Sequence, residues 1–403
     1  MTKPIPYGRQ HITDEDIQAV IETLQSDYLT QGPKILEFEQ AFATYIGSKY
    51  AVAVANGTAA LHLCALALDV KEGDKVITTP ITFAASANCI RYCGGEVVFS
   101  DIDPTTYLLD INKVRTLLEA SPKGTYKGII PVDFAGRAVN LEAFKKLAKE
   151  YGLWIIEDAC HAPGGYFKDS IGKTQQCGNS NFADLAIFSF HPVKHIASGE
   201  GGMITTNDKV LYEKLLQLRT HGIVKDATKY INAPAFASGL DESQFSILNS
   251  KDYPNWYMEM QSLGFNYRLT DFQAALGKSQ LQRAHAGLER RKEIAAIYEK
   301  AFSEKPFIIR QTGLVDGHAY HLYVVEFKKR KGLYEYLREN NIYSQVHYIP
   351  VHLMPYYRQF GWKDGDLPKA ENYYKQCLSL PMFPSLTDDE QTRVIEKIVE
   401  FYN

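Results

Sequence analysis

From Tyr50 to Ala159 the chain alternates short apolar runs with longer stretches in which apolar residues return every three or four positions. The runs at 50–55, 75–79, 96–102, 126–133 and 153–159 read as strands, and the stretches at 57–68, 82–93, 111–120 and 141–151 as helices. Strand and helix in turn predict βαβ crossovers, and hence a mostly parallel sheet covered on both faces. Val76-Ile77 and Trp154-Ile155-Ile156 are apolar without interruption, as strands buried on two sides require. Past Asp158 the rhythm changes. The segments 185–190 and 203–206 are short strands flanking a loop, a hairpin pattern rather than a crossover.

Ahead of the sheet, Thr13 and the acids Asp14, Glu15 and Asp16 open a helix with Ile17, Val20, Ile21 and Leu24 on one side. From 225 to 261 periodicity fails, and the aromatics Tyr230, Phe236, Phe245, Tyr253, Trp256 and Tyr257 predict an ordered segment packed on the rest. One long helix is expected over 269–305, carrying Phe272, Ala275, Leu276, Leu281 and Leu288. The remainder has α+β character, with strands at 322–327 and 343–348, a helix at 332–340, and a last helix opened by the Thr387–Glu390 capping box. The fold class is therefore α/β: a large domain over 1–265 built on a mostly parallel mixed sheet, and a smaller α+β domain over 266–403.

A length of 403 residues suits two domains, and 45% apolar with 23% charged residues is a globular balance. The net charge of −3, without a basic block, argues against nucleic acid as the partner. No apolar run approaches membrane-spanning length, and the first residues lack the apolar core of a signal peptide, which together predict a cytoplasmic protein. The cysteines at 64, 89, 93, 160, 177 and 377 form no CxxC pair, so free thiols are expected and no metal site.

Three segments carry chemistry. Asn56-Gly57-Thr58-Ala59-Ala60-Leu61 follows the first strand, where a helix N-terminus aims unpaired N–H groups at one point. Gly57 lets a phosphate approach closely and Thr58 can donate its hydroxyl, although an ordinary helix cap reads the same way. Neither GxxxxGK[ST] nor a GxGxxG after a strand is present, so nucleotide-binding folds are not indicated. Asp158 stands at a strand end, where an acid can keep a pyridinium nitrogen protonated, or simply cap a loop. His161 just beyond it suits either a cofactor ring or a polar loop. Lys194 closes Ser189-Phe190-His191-Pro192-Val193-Lys194 and precedes Gly199-Glu200-Gly201-Gly202. A lysine so placed differs from the solvated lysine of a helix face, and burial would favour the free amine that Schiff-base chemistry needs. A phosphate cradle, then an acid, then a lysine is the order of parts that holds pyridoxal phosphate.

These motifs, with Tyr28-Leu29-Thr30-Gln31-Gly32-Pro33, Thr79-Pro80-Ile81-Thr82-Phe83, Gly264-Phe265-Asn266-Tyr267-Arg268-Leu269 and Val346-His347-Tyr348-Ile349-Pro350-Val351-His352, resemble the DegT/DnrJ/EryC1/StrS family. These are fold-type-I, pyridoxal-phosphate-dependent aminotransferases of nucleotide-linked keto sugars. The resemblance implies that Lys194 holds the cofactor covalently and Asp158 pairs with its ring nitrogen. It further implies that His161 meets the ring region, Phe83 stacks on the ring, and Gly57, Thr58 and Ser189 bind the phosphate. Asn266, with Arg268 beside it, matches the family's asparagine that reaches the phosphate from a neighbouring subunit, implying a homodimer with shared sites. Tyr7, Tyr28, Thr30, Tyr320, His321, Tyr323 and His347 match positions lining the sugar-nucleotide pocket.

The segment ending in Pro254-Asn255-Trp256-Tyr257-Met258-Glu259-Met260-Gln261 most resembles the aminotransferases of the pseudaminic acid pathway. That implies UDP-2-acetamido-2,6-dideoxy-β-L-arabino-hex-4-ulose as substrate and L-glutamate as donor, becoming 2-oxoglutarate. Around 233–248 the match is lost, so GDP-perosamine-type and D-series UDP-amino sugars stay open. A dehydratase of the same fold, with histidine for the lysine, is the alternative class. Lys194 argues against it, and His195 next to it keeps it in view.

Overall fold

The apolar runs become one seven-stranded sheet in the computed structural model of the protein, which describes residues 3–239 and 253–403. Its strands are β1 (Tyr50–Val54), β2 (Lys75–Thr78), β3 (Glu96–Phe99), β4 (Tyr126–Ile130), β5 (Trp154–Asp158), β6 (Leu185–Ser189) and β7 (Gly202–Thr206), in the order β1-β7-β6-β5-β4-β2-β3. Pairing is parallel from β6 through β5, β4 and β2 to β3. β7 alone runs against both neighbours, pairing Val54 with Gly202 on one side and Ser189 with Gly202 on the other. β1 therefore points the same way as β5 and β6, and all three deliver their C-terminal ends to one edge.

Period-two alternation sorts the strands' side chains onto two faces. Val52, Val54, Ile130, Ile156, Ile187 and Ile204 meet helices α3 (Gly57–Ala67) and α4 (Ala85–Tyr92). On the other face, Ile77, Ile129 and Ile155 pack with α5 (Ile111–Glu119) and α6 (Leu141–Tyr151), while Ala51, Ala53, Phe188 and Met203 pack with α2 (Pro33–Ile46). α7 (Lys209–Arg219) lies beside α3.

The small domain is a three-stranded antiparallel sheet of β8 (Ile308–Gln311), β9 (Tyr323–Phe327) and β10 (Cys377–Leu380) with α10 (Arg330–Glu339) and α11 (Asp388–Tyr402). Its core gathers Tyr298, Phe302, Tyr323, Phe327, Leu337 and Ile398. Leu322, Val324 and Tyr373, however, pack into the same apolar cluster as Val54, Ile130 and Ile156 of the large sheet.

Several expectations change. The stretch 269–305 is two helices, α8 (Asp271–Gln282) and α9 (Ala284–Phe302), meeting at Arg283. α8 packs on α1 (Asp14–Leu24) and α2: Ser279 Oγ and Gln280 Nε2 donate to Asp16, and the Gly32 and Lys34 N–H groups donate to Asp271. α8 thus packs with the large domain, and Ala284 and Leu288 at the start of α9 join the same apolar cluster as Phe42 and Phe188. The same polar contacts turn α1 over. Asp16 is fully buried, while Ile17, Ile21 and Leu24 remain 50, 39 and 54% exposed. Residues 343–348 form no strand; Gln345 makes an isolated bridge to Ser379. In the 225–261 segment the Tyr230, Tyr253 and Tyr257 rings pack together, and the Glu259 carboxylate receives the Ile231 and Asn232 N–H groups. Phe236 and Trp256 are exposed, and Phe245 lies outside the described residues. Among the described residues no helix is long and apolar enough to cross a membrane.

Candidate active site

At the edge where β1, β5 and β6 end lies a cleft of about 900 Å³, lined by Gly57, Thr58, Asp158, Ser189 and Lys194 together with Tyr7, Phe83, His161 and His347. α3 begins there because Asn56 caps it, its side chain taking the Ala59 N–H (2.8 Å) and its carbonyl the Ala60 N–H (3.1 Å). The Gly57 and Thr58 N–H groups are left without an acceptor among the described residues and open on the cleft. Gly57 also packs tightly against β6: a Cβ there would stand 3.0 Å from Ser189 Cβ. The three candidate phosphate ligands are therefore neighbours.

Asp158 is braced from two sides. Ser86 Oγ donates to Oδ2 (2.6 Å) and the Cys160 N–H to Oδ1 (3.1 Å). Ser86 has one proton, which the carboxylate takes, so Thr82 (2.8 Å away) must donate to Ser86. The preceding residue, Glu157, points through the opposite face. Both its oxygens receive the Gly178 N–H (2.9 Å), and beside it lie Asp133 and Cys177, all three buried. Burial and the nearness of Asp133 push the Glu157 carboxyl well above the ordinary range. Glu157 therefore holds its proton to higher pH than a solvated carboxyl does.

Lys194 sits in the loop between β6 and β7, its N–H closing a turn on the His191 carbonyl (2.8 Å). Its Nζ lies 3.5 Å from His321 Nε2. Withdrawal from water lowers the amine below its usual range, against the opposing pull of Cys160 and Asp158. Burial likewise holds His161, His195 and His321 well below the ordinary imidazole range and brings His347 down to about 3. Lys194 thus stands among uncharged imidazoles. His161 accepts the Ala135 N–H at Nδ1 (3.2 Å), which puts its own proton on Nε2, 3.3 Å from the Tyr348 hydroxyl. His195 donates from Nε2 to the Ala319 carbonyl (2.8 Å) and does not line the cleft, so the residue that kept a dehydratase in view faces away.

Not every expected residue meets the cleft of its own chain. His321 stands behind it, against Lys194 and 4.3 Å from the His161 ring. Tyr320 and Tyr323 belong to the small-domain core and do not line this cleft. Along β9, Leu322 and Val324 face the large domain, so Tyr323 points the opposite way, donating to Glu299 (2.7 Å). The Tyr320 hydroxyl is used by Gly313 and Val315. Tyr28, Thr30, Asn266 and Arg268 lie elsewhere: Thr30 bridges Thr270, and Asn266 bridges Thr220. None of the four lines this cleft, although Tyr267 does. Ser86, Thr82, Tyr267, Gln345 and Tyr348 line it unforeseen; only the four-residue spacing of Thr82 and Ser86 hinted at a pair.

The chain matches the DegT/DnrJ/EryC1/StrS aminotransferase family over residues 10–399. It is 39% identical to the spore coat polysaccharide biosynthesis protein SpsC of Bacillus subtilis, covering 98% of this chain and 96% of that one. It is 33% identical to the UDP-4-amino-4,6-dideoxy-N-acetyl-beta-L-altrosamine transaminase of Campylobacter jejuni, across 99% of both. Among solved structures it is similar to Helicobacter pylori PseC, an aminotransferase involved in the biosynthesis of pseudoaminic acid, with a TM-score of 0.85 and 29% identity over 99% of both chains. The cleft with its lysine and braced acid, and these matches along nearly the whole length, place the chain in the DegT/DnrJ/EryC1/StrS family of pyridoxal-phosphate-dependent sugar aminotransferases.

Proposed function

We propose that the protein aminates C4 of a nucleotide-linked 4-keto-6-deoxy sugar, with L-glutamate as donor and 2-oxoglutarate as the second product. The substrate we assign is UDP-2-acetamido-2,6-dideoxy-β-L-arabino-hex-4-ulose. The full-length similarity to the Campylobacter jejuni transaminase and to Helicobacter pylori PseC supports this choice. The observation that carries the chemistry is the placing of Lys194 Nζ and the braced Asp158 carboxylate in one cleft, beside the free N–H groups at the start of α3.

The residues present fit pyridoxal phosphate. Gly57, Thr58 and Ser189 would take its phosphate, Phe83 and His161 its ring, Asp158 its ring nitrogen, and Lys194 its carbonyl carbon. When bound, the cofactor supplies an electron sink. The protein does the rest: the Lys194 amine takes the proton from the donor's amino-bearing carbon and returns one to C4 of the sugar. Tyr7 and His347, whose rings lie 5.2 Å apart in the cleft, would orient the sugar.

Tyr28, Thr30, Asn266 and Arg268 serve the cleft of a second subunit in this reading. The uncovered apolar side of α1 supports such a homodimer, since three large aliphatic side chains there have no cover of their own. Six free cysteines fit a reducing, cytoplasmic setting.

Offering a panel of 4-keto sugar nucleotides with glutamate, and following 2-oxoglutarate, tests the reading. Fastest turnover is expected with the UDP-linked L-arabino ketose. Preference for a GDP-linked or D-series sugar would overturn the substrate assignment. In Lys194→Ala turnover should vanish and borohydride should no longer fix the cofactor to the protein, and survival of either would sink the role of the lysine.

A further inference from the structure

Arg291, in the middle of α9, is only 1% exposed and makes no ion pair among the described residues. Its Nη1 donates instead to three main-chain carbonyls, those of Tyr320 (3.2 Å), His321 (3.2 Å) and Met382 (3.0 Å). Its Nε has no partner among the described residues. A buried guanidinium met only by carbonyl dipoles is costly, and replacing it by an apolar side chain would ordinarily stabilise a core. Burial draws it down to about 9, which still leaves it charged at neutral pH.

Its carbonyl partners suggest why it is kept. Tyr320 has φ +47°, a left-handed conformation that a large side chain seldom adopts unaided. Arg291 holds the two carbonyls at that turn, and directly from it His321 reaches toward Lys194 Nζ at 3.5 Å. The ionisable groups facing Lys194 are Asp158, Cys160, His161, His195, His321 and His347. The four imidazoles are uncharged, and Asp158 and Cys160 favour the ammonium form. Arg291 is the fixed positive charge opposing them.

We propose that Arg291 is a positioning residue for Lys194: through the carbonyls of Tyr320 and His321 it fixes His321 against the lysine, and its unpaired charge biases Lys194 toward the free amine. This rests on the reading of Lys194 as the cofactor lysine.

The test is competitive labelling of amines by dinitrofluorobenzene in the full-length, cofactor-free protein across a pH series, read by peptide mass spectrometry. The Lys194 midpoint should lie below those of the exposed Lys123 and Lys173 in the same sample, and coincident midpoints would overturn the inference whichever variants fold. Arg291→Gln keeps donors for the carbonyls but removes the charge. It should raise the midpoint and slow labelling at neutral pH. Arg291→Lys keeps the charge and should leave the midpoint in place; equal shifts in the two variants would overturn the electrostatic role. Borohydride fixation of the cofactor to the loaded enzyme separates the two readings. Fixation lost in Lys194→Ala with an unmoved midpoint in Arg291→Gln overturns this inference and leaves the proposed function standing. Fixation that survives in Lys194→Ala overturns both.

Discussion

Ser86→Ala probes the bracing of Asp158 most sharply. The serine is buried and its hydroxyl, 2.6 Å from Oδ2, is the carboxylate's closest donor. A hydrogen bond to a charged acceptor contributes about 1.5–3 kcal/mol, so its loss should lower kcat/KM roughly tenfold to a hundredfold. The variant also strands Thr82, whose hydroxyl is buried and donates to Ser86 in the wild type. Thr82→Val removes that hydroxyl while leaving the Ser86–Asp158 bond intact, and should cost no more than about threefold. The double variant should be no worse than Ser86→Ala, because no buried hydroxyl is then left unpaired; the coupling should be of order 1 kcal/mol in its favour. Half-reaction kinetics with glutamate on the four proteins, with cofactor content measured in each, complete the cycle. Thr82→Val as damaging as Ser86→Ala would refute the direction of the hydroxyl chain. Ser86→Ala within about twofold of wild type, in protein where Asp158→Asn is strongly impaired, would refute the bracing itself.

Two further outcomes are expected. Glu157 keeps its proton to higher pH in the folded protein than in the unfolded chain, so its contribution is full below the ordinary carboxyl range and is lost as pH rises through the raised folded value. Glu157→Gln should flatten that decline in thermal unfolding scans across pH, and an unchanged slope would count against the raised Glu157 carboxyl. Mixing Asn266→Ala with Lys194→Ala subunits should restore activity, since one site of a mixed dimer would then be intact. Exchange without recovery would return Asn266 to its own chain's cleft.

Much of the large domain is readable from residue order, because buried parallel strands are nearly pure apolar runs and their helices repeat at a clear period. Val76-Ile77 and Trp154-Ile155-Ile156 are such cases, and the cleft follows from what stands at strand ends. The seam of Thr30 with Thr270, and the core position of Tyr323, are invisible to that reasoning. They depend on which side of a strand or arm faces inward, and Tyr323 lies one residue from Leu322, whose direction is opposite. α1 shows the same limit. Its aliphatic stripe predicts burial, but Asp16 with Ser279, Gln280 and Arg283 forms a polar contact that wins the inner position. The break itself, at Leu281-Gln282-Arg283-Ala284, holds neither proline nor glycine to announce it.

The apolar cluster shared by the two domains bears on how substrate gets in. Tyr107 reaches across it to Glu326 (2.6 Å), and the Asp101 carboxylate receives the Lys369 and Ala370 N–H groups. Swinging the small domain away would expose Leu322, Val324 and Tyr373 to water and break these bonds together. Entry by a wide hinge opening is therefore disfavoured. The same continuity makes the subunit melt as one cooperative body; two well-separated calorimetric transitions in the cofactor-free chain would contradict it.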